Sequence, residues 1–356
     1  MPPRGVSPYE ILSVIGRGGV GTVYRARHRE TGALAAVKLL GPPPACDASA
    51  ARRLAREFEA LAHLDHPNVV RVHEAGVAEG YSFLAMELVE GLDLRAWLSP
   101  TLDEASRDLG ARAPVPGAPA FDLAALSREP DTESFFSGSE GAGGAQAIRE
   151  FAELLEEPET DPGFRPSAAA RGEASPGLVA EVKPLSREWL EALNRPPRLS
   201  RLVHAFRQVC DALAYVHGRG LVHRDLKPSN IMVDDRRRVR LMDFGLVQLM
   251  REPGLSVNGA VVGTYRYMAP EQARGEAVDG RADLYSLGVI LWELVAGRPP
   301  FPAVSRVRDR LALPAPPVSS ANPGAEPRLA AIAERLLERD PARRFQKAEE
   351  VLVALG

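Results

Sequence analysis

Apolar and polar residues alternate up to about residue 90, whereas beyond residue 198 the apolar positions recur every three to four residues. The runs YEILSVI, TVYRARH and LAAVKLL, between residues 9 and 40, have the period of half-buried strands and are separated by the glycine cluster at 16–21 and by Glu30-Thr31-Gly32. An antiparallel meander is predicted. Residues 50–64 then place Leu54, Phe58 and Leu61 on one helical face, and His66-Pro67-Asn68 ends that helix before a second strand pair, VVRVHEA and YSFLAMELV. The later pattern predicts helices over residues 199–217, 282–296 and 329–338, joined by loops rich in Gly and Pro. Strands followed by helices imply an α+β chain of two lobes: a small antiparallel sheet lobe at 9–90, and a mainly helical large lobe that begins at 91–98 and resumes at 198–356.

Composition changes this picture at one place. Residues 99–197 are dominated by Ala, Pro, Gly, Ser and Glu and carry 18 acidic against 9 basic residues. Such a segment buries too little apolar surface to offset its chain entropy, so an acidic, low-complexity and largely disordered insert is expected. Over the whole chain of 356 residues the formal net charge is −3, which offers no concentrated excess of Lys and Arg for a nucleic-acid backbone. Two cysteines are too few for a disulfide framework or a cysteine-based zinc site, and a reducing cytoplasm is the expected compartment. The opening residues MPPRGVSPYE have no apolar core for a secretory signal, and Pro2 excludes N-myristoylation. The apolar run 282–296 is interrupted by Asp283 and Glu293 and falls short of the roughly 20 residues of a membrane span, so it reads as a buried core helix.

Three stretches carry chemistry. Gly16-Arg17-Gly18-Gly19-Val20-Gly21-Thr22-Val23 has the form G-x-G-x-x-G-x-V. The same glycine spacing occurs in dinucleotide-binding folds and ordinary loops, but there it opens a helix, whereas here it leads into the strand-like TVYRARH. A hairpin whose bare backbone can lie over phosphate oxygens follows. Ala35-Ala36-Val37-Lys38 places a cation among apolar strand neighbours, a pattern that also fits a lysine at a strand edge. The most specific stretch is LVHRDLKPSN, residues 221–230, followed thirteen residues after Asn230 by Asp243-Phe244-Gly245.

With these motifs the chain resembles the protein kinase superfamily, and more closely its eukaryotic-type (Hanks-type) bacterial serine/threonine members, over all of its length except the insert. The resemblance implies a two-lobed kinase fold that transfers the γ-phosphate of Mg-ATP to Ser/Thr hydroxyls of protein substrates, in a signalling role. Phosphoryl transfer proceeds through a loose transition state, so catalysis is mainly positioning and charge neutralisation. By resemblance Asp225 orients the attacking hydroxyl and takes its proton, Lys227 accompanies the γ-phosphate, and Lys38, paired with Glu57, aligns the α- and β-phosphates. Asn230 and Asp243 supply the hard oxygens that Mg²⁺ prefers, with Mn²⁺ a candidate substitute. Gly16, Gly18 and Gly21 cover the phosphates. Val23, Ala36, Met86, Glu87, Val89 and Met232 surround the adenine, Met86 limits the pocket behind it, and Asp93 meets the ribose. Phe244 and His223 are expected to pack rather than react.

GTYRYMAPE, residues 263–271, resembles the end of a Ser/Thr activation segment and a platform for protein substrates. Thr264 is expected to reach toward Asp225 and Lys227, Glu271 to pair with Arg344, and Asp283 to brace the catalytic loop. Arg224, directly before Asp225, is implied to meet a phosphorylated residue of the activation segment, where Ser256 is the one hydroxyl between Gly245 and Gly263. Two rivals stay in view: a pseudokinase scaffold, which loses a catalytic residue, and a small-molecule phosphotransferase, which lacks the GTYRYMAPE platform. The insert reads either as a docking arm for a partner or as a tolerated surface insertion. Its candidate pieces are Ile148, Phe151, Leu154 and Leu155 on one helical face, and the hydroxyl-rich DTESFFSGSE at 131–140.

Overall fold

The computed structural model describes residues 5–6, 8–18, 21–40, 61, 63–78, 81–100, 185–244, 264–301 and 313–356. The first lobe is a sheet of six strands, β1 (Gly5–Val6), β2 (Tyr9–Gly18), β3 (Gly21–His28), β4 (Leu34–Leu40), β5 (Val72–Ala78) and β6 (Tyr81–Glu87). Their order is β1-β2-β3-β4-β6-β5 and every pairing is antiparallel. The alternation in the sequence sorts side chains between two faces. Tyr24, Ala26, Ala35, Val37, Leu39, Phe83 and Ala85 close a small outer core with Tyr9. Ala36, Leu84 and Met86 face the other way and join the main core of the chain. β5 is displaced relative to expectation, beginning at Val72, because Val69 sits in a bridge with Leu241 of the second lobe, whose N–H donates to the Asn68 carbonyl and whose carbonyl accepts the Val70 N–H, instead of continuing the strand. The helix expected over 50–64, with Glu57, lies outside the described residues except at its end, where Leu61 is helical and buried.

The second lobe starts with β7 (Gly91–Asp93), which forms a three-stranded antiparallel sheet with β8 (Ile231–Asp234) and β9 (Val239–Leu241). Between the last two, Arg236, Arg237 and Arg238 make a hairpin turn: Arg237 has φ 62°, and the Asp234 carboxylate accepts the N–H groups of Arg236 and Arg238 at 2.9 and 2.8 Å. The helices among the described residues are α1 (Leu94–Trp97), α2 (Arg187–Leu193), α3 (Pro196–His217), α4 (Pro270–Ala273), α5 (Gly280–Ala296), α6 (Pro327–Leu336) and α7 (Ala348–Leu355). Every residue of α5 from Ala282 to Ala296 is buried, and α6 packs on α5 while α7 packs on α3. The run read as a core helix is therefore the axis of this lobe. Among the described residues no helix is long and apolar enough to cross a membrane.

The boundary of the insert needs correcting. Residues 101–184 lie outside the described residues, and residues 185–197, expected to belong to the insert, are part of the folded lobe. Ser186 caps α2 by accepting the Trp189 N–H at 3.2 Å, and Leu193 is buried. Helix α3 follows from Pro196. The acidic and Pro-rich flanks dominate the composition there and hide this short amphipathic turn. Arg198, 3% exposed, then ties the two ends together. Its guanidinium donates to the carbonyls of Leu98 (2.8 Å), Leu193 (2.9 Å) and Leu294 (2.8 Å). Gly297 ends α5 in the left-handed region at φ 75°, and a Cβ at that position would stand 2.6 Å from Leu193 and 3.0 Å from Leu185. A side chain there would push α2 off the lobe.

One buried ion pair bolts the lower part of the lobe. The Arg344 guanidinium meets Glu271 in a fork at 2.6 and 2.8 Å and also donates to the carbonyls of Glu338, Arg281 and Arg339 at 2.7, 2.9 and 3.0 Å. Both side chains are almost fully buried. Glu271→Ala strands the guanidinium without its counter-charge, and a loss of about 3–5 kcal/mol in unfolding free energy is expected by denaturant titration. Glu191→Ala, which breaks the exposed pair with Arg187, is the control and should barely move the midpoint.

Candidate active site

The loop between α3 and β8 carries His223, Arg224, Asp225, Lys227 and Asn230. It is held from below by Asp283, near the start of α5 and fully buried. One Asp283 oxygen accepts the His223 N–H at 2.8 Å and lies 2.8 Å from His217 Nε2, and the other accepts the Arg224 N–H at 2.8 Å. Arg224 sits at φ 62°, an unfavourable conformation for a side chain of this size, and these two bonds help to fix it there. Its carbonyl is capped from another direction by Gln272 Nε2 at 2.6 Å. The His223 ring packs against Phe244, with ring centroids 4.7 Å apart, and Nε2 reaches the Met242 carbonyl at 2.8 Å.

Asp225 therefore projects from a rigid turn. Its carboxylate lies 3.1 Å from Lys227 Nζ and 3.2 Å from Asn230 Nδ2, and the same Asn230 nitrogen donates to the Asp225 carbonyl at 2.8 Å. With its amide nitrogen engaged on Asp225, Asn230 keeps its amide oxygen as an acceptor. The Met242 N–H bonds the Asn230 carbonyl at 2.9 Å, which brings Asp243 beside this loop. Asp243 has φ 57°, and its carboxylate meets Lys38 Nζ at 2.9 Å. Lys38 is 6% exposed, on β4. Asn230 and Asp243 offer neutral amide and carboxylate oxygens, the donor set that suits a hard divalent cation.

Strand register brings Val23, Ala36 and Met86 to the same face of the sheet as Lys38. Val23 pairs with Lys38, and Ala36 pairs with Met86. Val23 and Val89 are partly buried against the main core, and Met232 pairs with Asp93 across β7 and β8. Gly18 pairs with Gly21 at the hairpin end, where Gly21 has φ 149°, a conformation open to glycine at little cost. Glu87 is engaged by the Arg240 guanidinium, which also bonds the Pro67 carbonyl. Asp93 caps α1, accepting the Ala96 N–H at 2.8 Å. Thr264 opens a single 3-10 turn, Thr264–Tyr267. Glu57 and Ser256 lie outside the described residues.

Several positioning residues escaped the sequence reading. His217, beside Asp283, carried no motif. Glu293 was noticed only as an interruption of an apolar run, yet its carboxylate accepts from Arg95 at 2.7 Å and from the Tyr267 hydroxyl at 2.9 Å. Burial pushes the Tyr267 phenol far up, Glu293 adds to that, and Arg95 opposes it. Burial by itself lowers the Arg95 guanidinium, but Glu293 and Tyr267 outweigh it and leave the group above its ordinary value. Charged residues inside an otherwise apolar helix were the available signal. His66, read as part of a turn, bonds the Asn68 N–H at 3.1 Å and lies 3.2 Å from Asp211.

The profile of a family described as protein tyrosine and serine/threonine kinase matches residues 9–352. The chain is 28% identical over 351 residues to the serine/threonine-protein kinase PknD of Mycobacterium tuberculosis, covering 98% of this chain and 39% of that protein. It is 30% identical over 355 residues to the serine/threonine-protein kinase pkn3 of Myxococcus xanthus, covering 96% and 48%. The chain thus spans less than half the length of these curated relatives. Among solved structures, the kinase domain of Mycobacterium tuberculosis PknI superposes with a TM-score of 0.55 at 24% identity, over 98% of this chain and 95% of that one. That likeness establishes the two-lobed fold.

Asp283→Ala leaves two buried backbone N–H groups without an acceptor, at about 1–3 kcal/mol each. A drop in thermal midpoint is expected, with a smaller drop in Asp283→Asn, whose amide oxygen keeps one acceptor; calorimetry of the three proteins checks the order.

Proposed function

The chain belongs to the protein tyrosine and serine/threonine kinase family, and from that premise we propose that it transfers the γ-phosphoryl group of ATP to serine and threonine hydroxyls of other proteins, as a signalling enzyme. Use of ATP and of a divalent metal is general to the family. The observation that carries the reading is the loop on which Asp225, Lys227 and Asn230 bond to one another while Lys38 and Asp243 meet beside it. Asp225 receives the proton of the acceptor hydroxyl as its oxygen bonds to phosphorus and the bond from phosphorus to the β–γ bridging oxygen breaks, releasing ADP. Lys227 and Lys38 offset phosphate charge, which is the main requirement of a loose transition state. Asn230 and Asp243 would hold Mg²⁺, or Mn²⁺ in its place, and the cation would neutralise phosphate oxygens. Val23, Ala36, Met86, Val89 and Met232 would enclose the adenine, the backbone of Glu87 and Val89 would meet its edge, and Asp93 would meet the ribose. Gly16, Gly18 and Gly21 would lie over the phosphates, and Glu57 would steady Lys38.

A regulatory layer belongs to the same proposal. Phosphorylation of Ser256 would add about −1.5 to −2 of charge within reach of Arg224 and order the activation segment, with Thr264 then closing on Asp225 and Lys227. Residues 101–184 would serve as a docking arm for a protein partner, since every residue named in the chemistry lies outside them.

Asp225→Asn should lower labelled-phosphate transfer from Mg-ATP to a generic protein substrate by about 10²–10⁴ while nucleotide affinity stays near wild type. Lys38→Met should lose transfer as well. Absence of transfer by the wild-type protein, phosphorylated or not, would transfer the case to the scaffold reading. Ser256→Ala is expected to slow the autophosphorylated enzyme, and an unmodified Ser256 in fully active protein, seen by mass spectrometry, overturns that part.

A further inference from the structure

The peptide unit that joins Arg224 to Asp225 is held at both of its polar atoms. Its N–H donates to the His223 carbonyl at 2.9 Å, and its oxygen accepts Gln272 Nε2 at 2.6 Å. A peptide unit is planar and turns as one body, so a bond to its oxygen also fixes the direction in which the chain enters Asp225. Asp283 holds the unit before it, through the Arg224 N–H at 2.8 Å. Between the two units stands Arg224 at φ 62°, a backbone conformation that persists only where its surroundings impose it. Gln272 reaches the carbonyl from α4, in which the GTYRYMAPE stretch ends, and is itself 8% exposed. Its neighbour Glu271 is committed to Arg344. Adjacent side chains leave a helix about 100° apart, so α4 is bolted through Glu271 to the lower part of the lobe and through Gln272 to the catalytic loop.

We infer that Gln272 is a positioning residue for phosphoryl transfer: by holding the Arg224 carbonyl it aims Asp225 at the acceptor hydroxyl. The inference rests on the kinase reading above and adds to it a residue that acts through the backbone of the loop. Only a donor serves at this position, because a carbonyl oxygen accepts and does not donate. A glutamate of the same outline would present a second acceptor and push the carbonyl away. The competing assignment, a bond that merely satisfies a buried carbonyl, predicts lost stability without lost rate.

The test compares the full chain with Gln272→Met, which keeps the length of the side chain and removes the donor, and with Gln272→Glu. Single-turnover transfer from saturating Mg-ATP to a generic protein substrate is read, because product release can hide the chemical step in kcat. Nucleotide affinity, from a fluorescent ATP analogue, and the thermal midpoint are measured alongside, and rates are compared below the lowest midpoint of the set. A misaimed general base costs about tenfold in rate, so Gln272→Met should slow the single turnover by about that factor and leave nucleotide affinity near wild type. Gln272→Glu should slow it further. In an Asp225→Asn background the Gln272→Met loss should vanish, since no base is left to aim. Arg274→Ala, which breaks the exposed pair with Glu276 just beyond α4, is the control and should keep the wild-type rate. If Gln272→Met does not fold, Gln272→Ala takes its place. An unchanged single-turnover rate in the Gln272 variants, or a loss of the same size in the Asp225→Asn background, overturns the inference and leaves the kinase reading standing. Absence of transfer by the wild-type chain, phosphorylated or not, overturns both.

Discussion

A single buried carboxylate, Asp283, determines where the candidate site stands. It has no exposure to solvent, so its charge must be compensated by hydrogen bonds from within. Those come from the backbone of His223 and Arg224 and from the His217 ring. Because α5 is buried along nearly its whole length, the carboxylate is as rigid as the core of the lobe. The loop above it inherits that rigidity, including the unfavourable backbone of Arg224, and Asp225 is aimed accordingly. The chain of contacts continues from the His223 ring to Met242, from Met242 to Asn230, and so to Asp243 and Lys38. Four candidate groups of the site thus depend on one anchored carboxylate.

The small lobe is attached through polar contacts aimed at the backbone. Asn68 Nδ2 donates to Gln208 at 2.8 Å and to the Val239 carbonyl at 2.9 Å, and the Asp65 N–H meets the Tyr215 hydroxyl at 2.8 Å. Val69 and Val70 pair with Leu241, one strand residue away from Met242 and the loop it supports. Arg240 adds a charged link to Glu87 at the start of the connection between the lobes. Directional bonds of this kind add to the apolar core that Ala36, Leu84 and Met86 share with the second lobe and fix where the two lobes meet.

The long insertion is tolerated because its ends are brought together by the lobe itself. Arg198 bonds carbonyls on both sides of residues 101–184, and the reciprocal amide pair of Asn194 and Asn322, at 3.0 and 2.9 Å, holds the returning helix to the opposite loop. Once the ends are fixed, lengthening the connection costs only about 0.6 kcal/mol per doubling. The same region lies next to Arg95 and Glu293, which line one cleft with Leu98, Leu193 and Arg198.

The sequence by itself determined the two-lobed order, the strand faces and the positions that gather in the candidate site, because these depend on local period and on short motifs. Lys38, Asp225, Asn230 and Asp243 were legible for that reason, as were the Glu271–Arg344 pair and the bracing role of Asp283. Helix α2 was not legible, since a short amphipathic turn is outweighed by the composition around it. Nor was the Arg95–Tyr267–Glu293 cluster, whose members come from α1, the turn before α4, and α5. Only the tertiary structure decided which buried charges meet. The physical reason is that a charge inside a low-dielectric core is defined by its spatial partners, and those partners are separated by as many as 198 positions along the chain.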